Sequence, residues 1–125
     1  MSRKLDVAIA EARGYEVNVK RNHLPCYERY LLKRNDLVVD LPYYSTDGNT
    51  MLKLIDELLS KGFDVMADSF EASTGEKKFS ALFAEEPDNV FRRHSSGAGL
   101  SYGKTMPEAV ARAAYHALTG KEWSE

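Results

Sequence analysis

Side chains that could bind a ligand are densest in residues 41–49, whose sequence is Leu-Pro-Tyr-Tyr-Ser-Thr-Asp-Gly-Asn. The stretch follows an extended apolar run and precedes an amphipathic helix, and the start of a helix presents free backbone N–H groups that attract anions such as phosphate. We therefore treat its aromatic, hydroxyl, amide and carboxyl residues as candidate binding residues, namely Tyr43, Tyr44, Ser45, Thr46, Asp47 and Asn49.

The same stretch also has a purely structural interpretation. Its polar side chains could satisfy nearby backbone groups in a strand-to-helix turn, with Asp47 or Asn49 capping the helix. The carboxylate of Asp47 disfavours an anion unless its charge is used in capping, and the Gly-x-x-x-x-Gly-Lys pattern of a P-loop is absent. Both interpretations stay open at this point.

Two basic clusters are further candidates. The first cluster precedes the small residues of 95–99 and consists of Arg92, Arg93 and His94. It could bind a phosphate, a nucleotide or an acidic partner. The alternative for this cluster is a solvated loop. Arg112, Tyr115 and His116 lie away from the alanine stripe of the last predicted helix. They predict an exposed aromatic and basic strip, which is typical of contact surfaces, against the alternative of an ordinary solvent face.

No set of residues in the sequence predicts a catalytic site. The three histidines lack the spacing of a metal site, and Cys26 with His23 lacks a third orienting residue. Ser95 and Ser96 lack the Gly-x-Ser-x-Gly elbow of a hydrolase nucleophile. We therefore expect a non-enzymatic protein with no cofactor and no metal ion.

Composition limits the class of protein further. The 125 residues fit one domain, 1–125, and the formal charge of −2 does not favour wholesale binding to nucleic acid or to an acidic membrane. The single cysteine allows no intrachain disulfide, which fits a reducing compartment. Neither a signal peptide nor a run of about 18 apolar residues is present. We expect a cytoplasmic protein.

The apolar periodicity predicts helices, strands and their order. Helices are expected over about 3–13, around 51–59 with Gly62 as the stop, and after a capping box formed by Thr105 and Glu108. Strands are expected at 15–20, 37–41, 63–70, 77–83 and 100–102, with 63–83 forming an antiparallel hairpin. Residues 27–32 are ambiguous, and 90–91 are a candidate short strand. This order predicts an α+β fold with one antiparallel sheet of about four strands, covered by helices as an α-β-α sandwich.

Residues 41–59 resemble the phage ABA sandwich domain family, which carries a Pro-x-Tyr-Ser-Thr-Asp segment before a helix; that segment is met here from Pro42 to Asp47. Thr105, Glu108 and Ala109 match the capped Thr-x-x-Glu-Ala helix in the C-terminal part of that family, and residues 6–15 are similar to its beginning. The resemblance covers most of the chain apart from 71–99. It implies a phage or prophage origin, and most such proteins have no assigned activity.

Three functions follow as hypotheses. The first is an accessory protein that binds a host protein and blocks a host component such as a defence system. The second is a protein that binds or sequesters a nucleotide or another phosphate ligand. The third is an RNA-binding domain, because the elements after residue 51 follow the order of double-stranded RNA-binding domains. Those domains need lysines at the start of the last helix, where only Lys104 is near, so contact with nucleic acid is not expected. A homodimer is compatible with all three.

Overall fold

The computed structural model describes residues 3–23, 26–85 and 100–124, without the side chains of 21–23, 26–28, 34 and 85. Three α-helices are present in this part of the chain: α1 (Lys4–Ala12), α2 (Gly48–Ser60) and α3 (Met106–Thr119). Six strands accompany them: β1 (Glu16–His23), β2 (Cys26–Arg34), β3 (Leu37–Asp40), β4 (Phe63–Glu71), β5 (Lys77–Glu85) and β6 (Ser101–Gly103). The ambiguous residues 27–32 are therefore strand. The candidate strand at 90–91 lies outside the described residues.

The strands form two antiparallel sheets of three strands each, in the orders β1-β2-β3 and β4-β5-β6. The α+β class is therefore confirmed, whereas the expected single sheet of about four strands is wrong. The first sheet closes at Pro42, because this residue has no N–H to continue a ladder; the N–H of Leu41 makes the last bond, to the carbonyl of Tyr30 at 3.0 Å. The chain then passes through α2 and builds a second sheet from the predicted β4–β5 hairpin.

Helix α3 contacts strands β5 and β6 as well as helices α1 and α2. Five residues in its middle are buried, namely Ala109, Val110, Ala111, Ala113 and Ala114. The sequence predicts a single buried stripe that does not include Ala111. Ala111 is also buried because two helices, in addition to a sheet, pack on α3. Small side chains let the neighbouring backbones approach closely.

The predicted ends of α3 are confirmed. Thr105 is the N-cap, and its hydroxyl accepts a hydrogen bond from the N–H of Glu108 at 3.3 Å. Gly120 ends the helix with a left-handed φ of 75°, a conformation that glycine adopts without strain. Beyond it, Trp123 packs edge-to-face on Tyr115 with ring centres 5.3 Å apart. None of the helices in the described ranges combines the length and the apolar character that crossing a bilayer requires.

Gly103 is where β6 meets α3 most closely, and this contact yields a prediction. A Cβ atom at Gly103 would lie 2.7 Å from the backbone nitrogen of Ala109. We expect Gly103→Ala to lower the free energy of unfolding by about 1–3 kcal/mol, since the helix must shift to make room. Gly48→Ala is the matched control, because a Cβ there meets nothing within 4 Å. Urea denaturation measures both; equal stability of the two variants would contradict the close α3–β6 packing.

Candidate binding surface

A buried carboxylate on α1 organises the segment between β3 and α2. Asp6 is only 1% exposed, and lies on the same side of α1 as the buried residues Ile9 and Ala10. One of its oxygens accepts a hydrogen bond from the backbone N–H of Ser45 at 2.9 Å, and the other pairs with Arg3 Nη1 at 2.5 Å. The carboxylate therefore ties the first turn of α1 to a residue 39 positions away along the chain.

Arg3 extends this connection to the end of β3. Its guanidinium donates to the carbonyl of Leu41 and, at 3.3 Å, to the carbonyl of Pro42. The same group lies 3.7 Å from the centre of the Tyr43 ring, in a cation–π contact. One ring face is thus supported from inside the protein, while the Tyr43 side chain remains 55% exposed. Tyr43 is therefore an aromatic residue held in place at the surface.

Arg13, from the end of α1, holds the next residue of the same segment. Its guanidinium donates to the hydroxyl of Tyr44 and, at 2.6 Å, to Glu57 Oε1 on α2. Tyr44 is 2% exposed. Burial raises the pKa of the Tyr44 hydroxyl above that of an ordinary tyrosine, and the nearby Arg13 cation opposes this shift. Neighbouring tyrosines thus have opposite environments, one at the surface and one in the core.

The start of α2 is capped as the sequence predicted. The carboxylate of Asp47 accepts hydrogen bonds from the N–H of Thr50 at 3.0 Å and from its hydroxyl at 2.6 Å. These bonds lower the pKa of Asp47 below its ordinary value. The helix start is therefore occupied by a negative side chain, which disfavours an anionic ligand at this end of α2.

A depression of about 320 Å³ lies between Tyr43 and the end of β3. On its rim, Arg29 Nε pairs with Asp40 Oδ1 at 2.9 Å, and both side chains are more than half exposed. Among the residues that the structure describes, its lining consists of Arg3, Arg29, Tyr30, Asp40, Leu41 and Tyr43. Such a lining can stack a planar group on Tyr43 and exchange ion pairs at the rim.

The exposed strand β3 continues directly from this depression. All four of its residues are exposed, with Leu37 at 69%, Val38 at 59% and Val39 at 45%. In the described residues β3 has a neighbouring strand, β2, on one side only. We define the β3–Tyr43 surface as strand β3 together with Arg29 and Tyr43.

The other candidates of the 41–49 stretch lie elsewhere. Tyr44 and Ser45 are buried, at 2% and 3% exposure. The hydroxyl of Tyr44 accepts a hydrogen bond from Arg13, and the backbone N–H of Ser45 donates one to Asp6. Thr46, Asp47 and Asn49 are exposed, and Asp47 serves as a cap. Of the two tyrosines in this stretch, Tyr43 alone is exposed.

The three candidates on α3 do not line this surface. Arg112 pairs with Glu108 at 3.2 Å, Tyr115 packs on Trp123, and His116 is half-buried. The expected exposed strip on α3 is thus only partly exposed, and Tyr115 is covered by Trp123 of the C-terminal segment. Arg92, Arg93 and His94 lie outside the described residues. Among those described, no group of three or more His, Cys, Asp or Glu side chains could hold a metal ion.

Sequence reasoning missed the residues that build the site, above all Arg3, Asp6 and Arg13. A usable signal existed in α1, where Asp6 shares the apolar side with Ile9 and Ala10. A carboxylate at such a position must be paired, because an unpaired buried charge is costly. The partners themselves leave no local pattern. A comparison with protein families, with curated proteins and with solved structures finds no match to this chain.

The adjacent tyrosines provide a matched pair of substitutions. We expect Tyr44→Phe to lower the free energy of unfolding by about 1–3 kcal/mol, because Arg13 loses a buried hydrogen-bond acceptor. Tyr43→Phe keeps the exposed ring, and should change stability by less than about 0.5 kcal/mol. Chemical denaturation followed by circular dichroism measures both. Similar losses in the two variants would contradict the opposite environments of the two rings.

The carboxylate of Asp6 is open to a comparable test. Asp6→Ala should destabilise the protein by about 3–5 kcal/mol, since it leaves the largely buried Arg3 cation without its anionic partner. Removing Arg29 from the exposed pair, by Arg29→Ala, should cost about 0–1 kcal/mol. Thermal or urea unfolding compares the variants. A loss in Asp6→Ala no larger than that in Arg29→Ala would show that Asp6 does not organise the segment.

Proposed function

We propose that this chain is a non-enzymatic phage or prophage accessory protein that binds a host protein through the β3–Tyr43 surface. The observation that carries the proposal is the exposure of Leu37, Val38 and Val39 on one edge strand. Edge strands present unpaired backbone groups to other chains, and proteins ordinarily protect them. Exposed apolar side chains beside such an edge are typical of an interaction site.

The support beneath Tyr43 strengthens a role in binding. The ring rests on Arg3, which is itself held by Asp6 and by two backbone carbonyls. A side chain that is already fixed loses little conformational freedom when a partner binds. Tyrosine and arginine are also the residue types that contribute most to protein interfaces. Tyr43 and Arg29 therefore suit the role of side-chain contacts next to the strand edge.

The phage or prophage origin rests on the resemblance of residues 41–59 to the phage ABA sandwich domain family. The α-β-α layering of that family is part of the same proposal. A small accessory protein of this kind would act in the cytoplasm of the bacterial host, where blocking a component of a defence system is a fitting role. Its means is binding, because the β3–Tyr43 surface offers stacking, apolar and ionic contacts.

The alternatives have less support from the described residues. A small ligand could occupy the depression of about 320 Å³, a size found in ligand pockets. Its arginines, however, already face carboxylates, Arg3 with Asp6 and Arg29 with Asp40, which leaves little net positive charge for a phosphate. For duplex RNA, the start of α3 carries the acidic Glu108 beside Lys104, where phosphate-binding lysines are needed.

A capture experiment with paired variants tests the proposal. Immobilised wild-type protein, the Leu37→Lys variant and the Leu52→Lys variant are incubated with bacterial lysate, and retained proteins and small molecules are identified by mass spectrometry. Leu52 is the control, since it is an exposed leucine of α2 outside the β3–Tyr43 surface. We expect one stoichiometric protein on the wild type and on Leu52→Lys, and at least a tenfold weaker signal on Leu37→Lys.

Two results would contradict the proposal. Equal capture by all three baits would show that a partner binds elsewhere. Retention of a nucleotide or another small molecule without any protein would favour the ligand-binding alternative. Circular dichroism of the three baits verifies that each is folded, so that a lost signal reports the surface and not the fold.

A further inference from the structure

The hydrogen-bond pattern of the first sheet shows which backbone groups of β3 face outward. Residues of β3 pair with β2 in an antiparallel register that matches Leu32 with Val39 and Lys33 with Val38. The N–H of Leu41 points to β2, where it bonds the carbonyl of Tyr30. Because ladder bonds alternate along an antiparallel strand, the N–H and C=O groups of Val38 and Asp40 point away from β2. Within the described part of the chain, they form the free edge of the sheet.

The side chains along this edge have a distinctive charge pattern. Three exposed apolar residues, Leu37, Val38 and Val39, lie between two exposed acidic residues, Asp36 in the preceding turn and Asp40 at the strand end. An added strand would place its own side chains beside these five, since residues that face each other across a ladder come within about 5 Å. Opposite charges at the two ends would therefore attract.

From this pattern we propose that the partner contributes an extended segment, which adds to β3 as a further strand and carries a lysine or arginine at each end of three apolar residues. The inference rests on the proposed function and specifies the chemistry of its partner. Backbone bonds to Val38 and Asp40 supply affinity, and the side chains supply selectivity, as in other cases of strand addition. The basic residues would face Asp36 and Asp40.

The existing pair of Asp40 and Arg29 does not prevent this. Both side chains are more than half exposed, and exposed ion pairs of this kind contribute only about 0–1 kcal/mol. An incoming cation can therefore share or replace Arg29 at little cost. Tyr43, at the same end of the strand, offers its outer face to the alkyl or guanidinium part of that residue.

A second copy of the chain fits this edge poorly. Two β3 strands paired antiparallel about Val38 would set Asp36 of one copy opposite Asp40 of the other, at both ends of the pair. Like charges directly opposite each other destabilise a strand pair. The same acids that would attract a basic segment therefore discourage self-association, a known protection of edge strands.

Synthetic peptides test the inference without knowledge of the partner. The probe is a capped extended peptide with the order lysine, three β-branched apolar residues and lysine; a matched peptide carries glutamates in place of the lysines. We expect the lysine peptide to bind the wild type, with the largest amide chemical-shift changes at Val38 and Asp40, and the glutamate peptide to bind at least tenfold more weakly. The double variant Asp36→Lys/Asp40→Lys should reverse this preference.

Three other outcomes would overturn the inference. If neither peptide binds, the acids serve only to protect the edge. If both bind equally, the end charges do not select the partner. If sedimentation shows a dimer of the wild type that Leu37→Lys abolishes, the edge is occupied by a second copy. The neutral variant Asp36→Asn/Asp40→Asn provides a second test in case the charge-reversed variant does not fold. It should bind the lysine peptide with a weaker salt dependence than the wild type does.

The peptide result is separable from the proposed function. Capture of a host protein that depends on Leu37, together with failure of the peptides, would leave the proposed function in place and reject the strand-addition chemistry. Peptide binding without any captured protein would show a competent edge with no partner in that lysate, and would count against the proposed function alone.

Discussion

The burial of the Asp6 carboxylate is the constraint on which the rest of the molecule depends. A charge removed from water costs several kcal/mol unless other groups compensate it, and here a guanidinium and a backbone N–H do so. Arg3 in turn uses its remaining donors on the carbonyls of Leu41 and Pro42. The first turn of α1 thereby determines the path of the chain between the first sheet and α2.

This constraint has a functional consequence at three successive residues. The Tyr44 hydroxyl and the Ser45 N–H bond Arg13 and Asp6 inside the protein, whereas Tyr43 is exposed and lines the same depression as Asp40 at the end of β3. The segment from Leu41 to Ser45 therefore connects α1 with the end of the first sheet and also borders the β3–Tyr43 surface. A fixed aromatic ring beside a strand edge that is unpaired in the described residues suits the proposed binding of another protein, because both the contact residue and the backbone groups are arranged before the partner arrives.

Sequence reasoning succeeded where the determining interactions are local. The cap of α2, predicted at Asp47 or Asn49, the Thr105 cap of α3 and the β4–β5 hairpin all depend on residues a few positions apart, whose spacing can be read directly. It failed where the interaction spans the chain: Asp6 meets Ser45 across 39 positions, and Arg13 meets Glu57 across 44. The alternation of apolar and polar residues shows that a segment is a strand and which of its sides is apolar, but not which strands share a sheet. For this reason the sequence predicts one sheet where the structure has two.

The most direct measurement of the central constraint is amide hydrogen exchange at Ser45, followed by NMR in the native protein. If the Asp6 carboxylate holds this N–H in the buried segment, its exchange should be as slow as that of the core amides of α3, and should require global unfolding. Exchange close to the rate of an unstructured peptide would contradict this. It would mean that the segment opens independently of the core, and that Tyr43 is not held in place at the surface.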